Sequence, residues 1–490
     1  MNQSAEMQDV NATTGLPLRG MRVTVMGLGT RGGGLGVARY LVEQGAIVTV
    51  TDSKPAEALR ASLASLADLP IRYVLGRHVA VDFTPSGAEL VIRNPGVDRN
   101  TPLLRLARDS GIPVEMEMSL FFRACPAPII GVTGTKGKTT VATLCAEMLR
   151  AWDPTTVLAG NMGGSALARL PEIKADTPVV IELSSWQLEA LDEHGLAPHI
   201  AVLTNISEDH LDHYDGFADY AATKRTVTRH QTQCDTFIVN ADDPDAWRAA
   251  SMTQAIIVPF GLVDRGQDGA WSREDRLLWR QQGQERVWDA PATLSLRGAQ
   301  GRANALAAMA AAMTRGAPPE AVSAGLRSFG GVRDRLEPVA TVAGVRFIND
   351  TCATAPAATI AALEVLGSEG AIHLIAGGAD KRADLSGLAI AIARDVVAIY
   401  PLEGSATPAL WTLLVEAGIT PEGPFASMEA AVNTAAAAAR PGDVVLLSPG
   451  CASFGIFQDE FDRGAQFRDA VAKFTATVPI GTVAMSMGSG

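Results

Sequence analysis

The 490-residue chain is short of positive charge: 41 Lys and Arg stand against 53 Asp and Glu, a formal net charge of −12. A nucleic-acid partner would call for a basic face, so that class is set aside. An anionic nucleotide is not, because it needs only a local positive site. Cysteine is scarce as well. Cys125, Cys145, Cys234, Cys352 and Cys451 are odd in number and scattered. No pair has metal or redox spacing, which points to a reducing cytoplasm. No apolar run is long enough to span a bilayer, so no membrane role is expected. Residues 1–15 lack the basic-then-apolar pattern of a secretion signal. Residues 476–490 end in small residues and are expected to form a flexible tail. No internal repeat of short period is visible. What is there, 47% hydrophobic and 19% charged residues, suits a globular chain of roughly three domains.

One stretch organises the rest. Residues 131–140 read Gly-Val-Thr-Gly-Thr-Lys-Gly-Lys-Thr-Thr, after Ile129 and Ile130 and before an apolar-periodic segment at 141–149. That context is strand, glycine turn, helix. Gly134 and Gly137 let the backbone approach a polyphosphate, and the amides of the turn and helix start point at the anion. Lys138 would reach the β/γ-phosphates, and the Thr139 hydroxyl would hold magnesium. The strict phosphate-loop spacing is not met, since Val132 stands where its first glycine belongs.

Upstream, residues 21–26 read as a strand, Gly27-Leu-Gly-Thr-Arg-Gly32 as its turn and 35–43 as a helix. A second strand at 47–51 ends at Asp52. This is a Rossmann-like half-domain, with an acidic residue roughly 20 positions beyond the glycines, where a ribose-binding carboxylate belongs. Alone, the motif serves a dinucleotide, another nucleotide or mere packing. A strand at 88–93 ends in Asn94-Pro-Gly96, a turn of the kind that binds ligands at the edge of open α/β sheets. Cys125-Pro-Ala-Pro128 breaks the pattern and bounds a first domain, residues 1–125.

The second domain, residues 126–331, carries the phosphate loop. A strand at 157–160 leads to Asn161. An apolar run at 178–183 places Glu182 at a strand end, the usual seat of a magnesium-binding carboxylate. A strand at 200–204 leads to Asn205-Ile-Ser-Glu-Asp-His-Leu-Asp-His213, where His210 beside Asp209 is a functional candidate. Lys224 falls in a helix at 219–227 and Asn304 in an alanine-rich helix at 301–313. Residues 263–290, with Trp271, Trp279 and Trp288, suggest β-hairpins at the domain edge. The third domain, residues 332–475, alternates strands at 345–348, 372–376, 396–400 and 444–448 with helices, which implies a further parallel sheet. The class is α/β throughout, Rossmann-like at both ends.

Several ordered motifs then converge: Gly-Thr-Lys-Gly-Lys-Thr-Thr (134–140), Glu-Leu-Ser-Ser-Trp-Gln-Leu-Glu (182–189), Thr-Asn-Ile-Ser-Glu-Asp-His-Leu-Asp (204–212), Asn-Asp-Thr-Cys-Ala-Thr (349–354) and Ser-Pro-Gly-Cys-Ala-Ser-Phe (448–454). At this spacing they resemble the Mur ligases, the ATP-dependent amino-acid ligases of peptidoglycan precursor synthesis, over residues 22–474. The second and last motifs are similar to those of the member that adds D-glutamate to UDP-N-acetylmuramoyl-L-alanine. The resemblance implies a cytoplasmic, monomeric enzyme that activates a carboxylate as an acyl phosphate, which the glutamate amine attacks. Lys138, Glu182, His210 and Lys224 would be its catalytic residues. ATP would be held by Gly134, Thr135, Lys136, Gly137, Lys138, Thr139, Thr140, Asn304, Arg335 and Asp350, the last two after the third domain swings about a hinge near Gly330-Gly331. Thr30, Asp52, Ser53, Lys54, Asn94 and Gly96 would contact the UDP moiety, and Asn161 the muramoyl-alanine. Thr354, Lys381 and Ser453 would receive the glutamate carboxylates. Thr139, Glu182, His210 and Lys224 would hold two magnesium ions. Lys224 would serve as a carbamate formed with CO2, because a free ammonium repels a metal.

Some positions depart from that pattern. Cys352 replaces a lysine, Ala355 an asparagine and Lys136 an asparagine of the phosphate loop. Gln300-Gly301 replaces a His-Asn pair, and Glu460 stands where an aromatic residue lines the amino-acid pocket. A lost lysine and a gained glutamate both weaken a pocket for a dicarboxylate, so a sibling ligase for L-glutamate or another amino acid is the near alternative. A folate polyglutamylating ligase leaves the first domain without a place. A nicotinamide-dependent dehydrogenase rests on residues 27–52 alone. A non-catalytic nucleotide-binding relative would have lost Lys138, Glu182 or His210, and all are present.

Overall fold

The computed structural model describes residues 16–29, 32–209, 213–274, 276–289, 293, 296–367, 369–381, 383–477 and 483–484. The chain divides into two compact units, residues 1–290 with 302–328 and residues 291–301 with 329–490.

The first unit holds two sheets. Strands β1 (Arg22–Met26), β2 (Ile47–Asp52), β3 (Arg72–Leu75), β4 (Leu90–Arg93) and β5 (Val114–Glu115) form the smaller, in the order β3-β2-β1-β4-β5 and parallel throughout. The order reverses between β1 and β4. The turns after these two strands therefore leave the sheet side by side, at the switch point where open sheets bind ligands.

The larger sheet comprises β6 (Ile129–Thr133), β7 (Val157–Gly160), β8 (Val179–Glu182), β9 (Ile200–Leu203), β10 (Thr236–Asn240), β11 (Ile256–Gly261), β12 (Gly269–Arg273), β13 (Arg276–Gln281) and β14 (Gln284–Asp289). Its order is β14-β13-β12-β11-β10-β9-β6-β8-β7. Strands β6, β8 and β9 are buried at every position, as expected of parallel strands covered on both faces. The tryptophan-bearing stretch forms the antiparallel β12-β13-β14 meander at one end, with Trp271 and Trp279 buried. One apolar cluster runs from Val23 and Leu41 beside the first sheet, through Phe121, to Ile181 and Phe237 in the second.

The second unit is built on β15 (Glu337–Val342), β16 (Val345–Asn349), β17 (Ile372–Ala376), β18 (Val396–Pro401), β19 (Val444–Leu447) and β20 (Val483–Ala484), ordered β18-β17-β19-β16-β15-β20. Strands β16 to β19 pair in parallel, and β15 is antiparallel to β16. Alternate residues face opposite ways, so Leu374 and Leu446 join one core and Ile375, Val445 and Leu447 the other. A helix continues to Thr477, and Val483–Ala484 pairs antiparallel with Val342 and Thr341, because β15 offers an open sheet edge there.

Candidate active site

The phosphate loop leaves β6 at the carboxyl edge of the larger sheet, where the parallel neighbours β8 and β9 also end. Gly134 has φ 142° and Gly137 φ 86°. A Cβ on Gly134 would lie 2.0 Å from Thr204 Oγ1, and one on Gly137 would lie 2.2 Å from Asn304 Oδ1. Both glycines are thus required by close approach as well as by backbone sign. The segment after β9 clamps the loop. Thr135 N donates to Asn205 O at 2.9 Å, Lys136 N to Asn205 Oδ1 at 2.9 Å, and Thr204 Oγ1 to Lys136 O at 2.6 Å. Gly137 caps the helix Lys138–Arg150 without a side-chain acceptor, and its first turn holds no acidic residue. An anion is therefore the natural partner of those amides. Lys138 Nζ folds back onto Gly134 O at 3.1 Å and Thr135 O at 3.0 Å. The exposed Lys136 pairs with Asp209 at 3.6 Å. Thr140 is buried and Thr139 half-buried in the first helical turn.

Glu182 closes β8 and is buried. Its Oε1 accepts from Asn161 Nδ2 at 3.2 Å, whereas the buried Oε2 has no hydrogen-bond partner. An orphaned carboxylate oxygen beside a phosphate loop fits a magnesium ion, which takes one or two carboxylates plus substrate phosphates. Lys224, in the helix Phe217–Arg225, is buried too. Its Nζ is 3.4 Å from Thr133 Oγ1 and lies over the Tyr220 ring, 5.4 Å from the centroid. Burial, then the Lys138 ammonium, push its pKa well down, while Asp209 and Glu182 pull it back. Lys138, Glu182, Asn161, Asn304 and Lys224 are thus gathered at one strand edge. His210 and Thr30 lie outside the described residues. Among the described residues no three His, Cys, Asp or Glu side chains cluster as a metal site.

At the smaller sheet, Asp52 ends β2 with its carboxylate turned onto backbone. Its Oδ2 accepts from Leu28 N at 2.9 Å and Gly29 N at 3.1 Å, and its Oδ1 from Lys54 N at 2.9 Å. Asn94 Nδ2 donates to Gly27 O at 3.3 Å and its Oδ1 accepts from Gly96 N at 3.2 Å, joining the two switch-point turns. Ser53 and Lys54 are exposed.

In the second unit the turns after β16, β17 and β19 meet. Gly377 N donates to Pro449 O at 2.9 Å, Ala379 N to Ala452 O at 2.9 Å and Gly450 N to Ala353 O at 2.8 Å. Thr354, the exposed Lys381 and the buried Ser453 belong to these turns. Asp350 is buried and accepts from Ser448 Oγ at 2.8 Å and Leu336 N at 3.2 Å. Burial raises its pKa to about 6, against the pull of these bonds and of Arg335. The Cys352 thiol is pushed up to about 12, again by burial.

Sequence reasoning gave no role to Thr204, Asn205, Tyr220 or Arg463. The first two were signalled by polar residues directly after a buried strand. Tyr220 lies one helical turn before Lys224, on the same face. Arg463 is fully buried and donates to Thr351 Oγ1, Thr351 O and Cys451 O. An arginine in a charged run carries no signal of such burial.

Comparison with known proteins follows these three sheets. The Mur ligase MurD-like N-terminal domain matches residues 21–115, the Mur ligase middle domain residues 132–312, and the Mur ligase glutamate ligase domain residues 334–451. The UDP-N-acetylmuramoylalanine–D-glutamate ligase of Roseiflexus sp. is 47% identical over 471 residues, covering 94% of this chain and 100% of that one. Its counterpart in Symbiobacterium thermophilum is 37% identical over 455 residues, covering 92% and 97%. Among solved structures, the UDP-N-acetylmuramate-alanine ligase of Thermotoga maritima aligns with a TM-score of 0.60 at 20% identity, covering 93% of this chain and 100% of that one. E. coli FolC in complex with DHPP and ADP aligns at 0.54 and 18%, covering 74% and 93%; both likenesses speak for the fold. With the phosphate loop, its carboxylate and its buried lysine in place, and with identity sustained over nearly the whole length, the chain belongs to the Mur ligase family.

Proposed function

We propose that this chain is an ATP- and magnesium-dependent ligase that joins D-glutamate to UDP-N-acetylmuramoyl-L-alanine in cytoplasmic peptidoglycan precursor synthesis, acting as a monomer. The observation that carries the reading is the buried Glu182 Oε2, without a hydrogen-bond partner beside the phosphate loop. The choice of substrates is supported by the relatives named above, of which one is 47% identical.

Amide formation from a carboxylate and an amine is uphill in water, so the carboxylate must first be activated. The terminal phosphoryl group of ATP passes to the alanyl carboxylate, and ADP leaves. The glutamate amine then attacks the acyl phosphate, a tetrahedral intermediate forms, and phosphate departs with the new amide in place. Negative charge gathers in both steps, and fixed positive groups lower both barriers. Lys138 exchanges its loop carbonyls for the β/γ-phosphates. The amides of residues 134–140 and Asn304 seat the nucleotide, together with Arg335 and Asp350. Asn161 orients the acyl substrate, whose UDP end meets Asp52, Ser53, Lys54, Asn94, Gly96 and Thr30. Thr354, Lys381 and Ser453 take the glutamate carboxylates; the lysine supplies a point charge and the hydroxyls directional bonds. Magnesium on Thr139 and Glu182, with a second ion at His210 and Lys224, would neutralise charge on the transferring group. For Lys224 we assign a carbamate: its neutral amine adds to CO2 and loses a proton, turning a metal-repelling side chain into an anionic one.

The test is a panel of D- and L-amino acids with UDP-N-acetylmuramoyl-L-alanine, ATP and Mg²⁺, scored by phosphate release. Release with D-glutamate above all others is expected. Preference for L-glutamate or another amino acid would replace the acceptor, and no release with any would remove the ligase reading.

A further inference from the structure

We propose that Arg93 and Glu189 form a positioning joint between the two sheets of the first unit. It couples the turn at residues 94–96 to the phosphate loop, so that ligand at one strengthens binding at the other. This rests on the reading above, in which that turn meets the UDP moiety and the loop meets ATP.

Arg93 is the last residue of β4 and only 2% exposed. Its Nη1 donates to Val97 O at 3.2 Å, so the guanidinium closes the same turn that presents Asn94 and Gly96. Its Nη2 faces Glu189 Oε2 at 3.5 Å. Both atoms are buried and neither makes a hydrogen bond. Arg99 reaches the same oxygen at 3.6 Å, but its side chain is 46% exposed, so Arg93 holds the dry end.

Glu189 lies on the helix Ser185–Glu193 that follows β8 and Glu182. Its other oxygen, Oε1, accepts from the Tyr214 hydroxyl at 2.9 Å. The Tyr214 ring packs edge-on against Tyr220, with centroids 5.4 Å apart. The Tyr220 hydroxyl is 3.2 Å from Thr135 Oγ1 in the phosphate loop, and its ring lies under Lys224. One buried carboxylate therefore orients the substrate turn through one oxygen and the floor of the nucleotide site through the other.

The chemistry of burial makes this joint sensitive. In a low-dielectric interior a charge pair is felt strongly, and removing one member strands the other. At 3.5 Å the pair sits just beyond hydrogen-bonding distance. A ligand that draws in residues 94–97 can close that gap, and closing it fixes Glu189 against Tyr214. By linkage, nucleotide bound at the loop must favour the closed joint by the same factor.

The experiment is calorimetric titration of the full chain with UDP-N-acetylmuramoyl-L-alanine, with and without a non-hydrolysable ATP analogue and Mg²⁺. Wild type should bind the sugar nucleotide about tenfold more tightly when the analogue is present. In Glu189→Gln each ligand alone should bind within about threefold of wild type while the mutual tightening disappears, a split that a merely structural role would not produce. Tyr214→Phe removes the hydroxyl but keeps the ring packing; it should also lose the tightening, and it decides the matter if Glu189→Gln does not fold. Wild type that binds neither ligand overturns the functional reading and the joint with it. Wild type that binds both without tightening, or variants that retain it, overturn the joint alone.

Discussion

The glycine turns after β1 and β6 share a layout of strand, turn and helix, yet their backbone amides are spent differently. In the first, Leu28 N and Gly29 N are already bonded to the protein's own Asp52 carboxylate. A second carboxylate, Glu117, stands where a Cβ on Gly33 would lie 3.4 Å from its Oε2. In the second, Thr135 N and Lys136 N are bonded to the neutral Asn205 O and Oδ1, and the Lys138 ammonium rests on loop carbonyls; the helices after both turns start at a glycine with no side-chain cap. A glycine turn whose amides already hold a carboxylate is a shaped scaffold; one lined by a neutral amide and a lysine, with no carboxylate on its amides, suits a phosphate. This difference also weakens the dehydrogenase alternative, which needs the first turn's amides for a pyrophosphate and Asp52 for a ribose.

The largest test of the contrast is Lys138→Ala. ADP release driven by both substrates should fall at least about a thousandfold, with little change in thermal stability. Asp52→Asn should act first on stability, costing about 1–3 kcal/mol in urea unfolding through weakened bonds to the Leu28, Gly29 and Lys54 amides, with a far smaller fall in turnover that follows weaker binding of the sugar nucleotide. Equal effects of the two on turnover would erase the distinction between the turns. Next comes Lys224→Ala, for which a loss of about a hundredfold is expected, partly restored by millimolar acetate or formate if a carboxylate serves there. Activity indifferent to the lysine would remove that role.

A smaller effect sharpens the picture in the second unit. Asp350 has its pKa raised from 3.8 to about 6 by burial. The folded state therefore holds its proton more tightly than the unfolded state. Stability supplied by this group is complete below about pH 4, falls as pH rises to about 6 and is flat above, a loss of up to about 3 kcal/mol. Asp350→Asn should flatten that part of the pH–stability curve, read as the difference between wild type and variant in denaturant titrations. Matching slopes would show that Asp350 ionises normally.

The parts of this site legible in sequence are those encoded locally. A buried strand, two glycines and Lys138 announce the phosphate loop, and an apolar run closed by Glu182 announces the carboxylate. The helix around Lys224 is legible in the sequence, but not its burial, because the residues around it alternate polar and apolar without a clear face. The Arg93–Glu189 pair joins elements distant in the chain, so no spacing could reveal it. Likewise β5 is two residues long and β15 opens with Glu-Pro, patterns too weak for a strand to be read. The pairing of Val483–Ala484 with β15 depends on an open edge that only the assembled sheet provides.

The central claim is that a terminal phosphoryl group activates the muramyl peptide acid at the loop beside Lys138. Mass spectrometry of a reaction containing the protein, ATP, Mg²⁺, UDP-N-acetylmuramoyl-L-alanine and D-glutamate tests it most directly. The account predicts a product heavier by one glutamyl residue, formed one-for-one with ADP and absent with Lys138→Ala. Product formed without ATP consumption, or ATP consumed with no new amide, would contradict it.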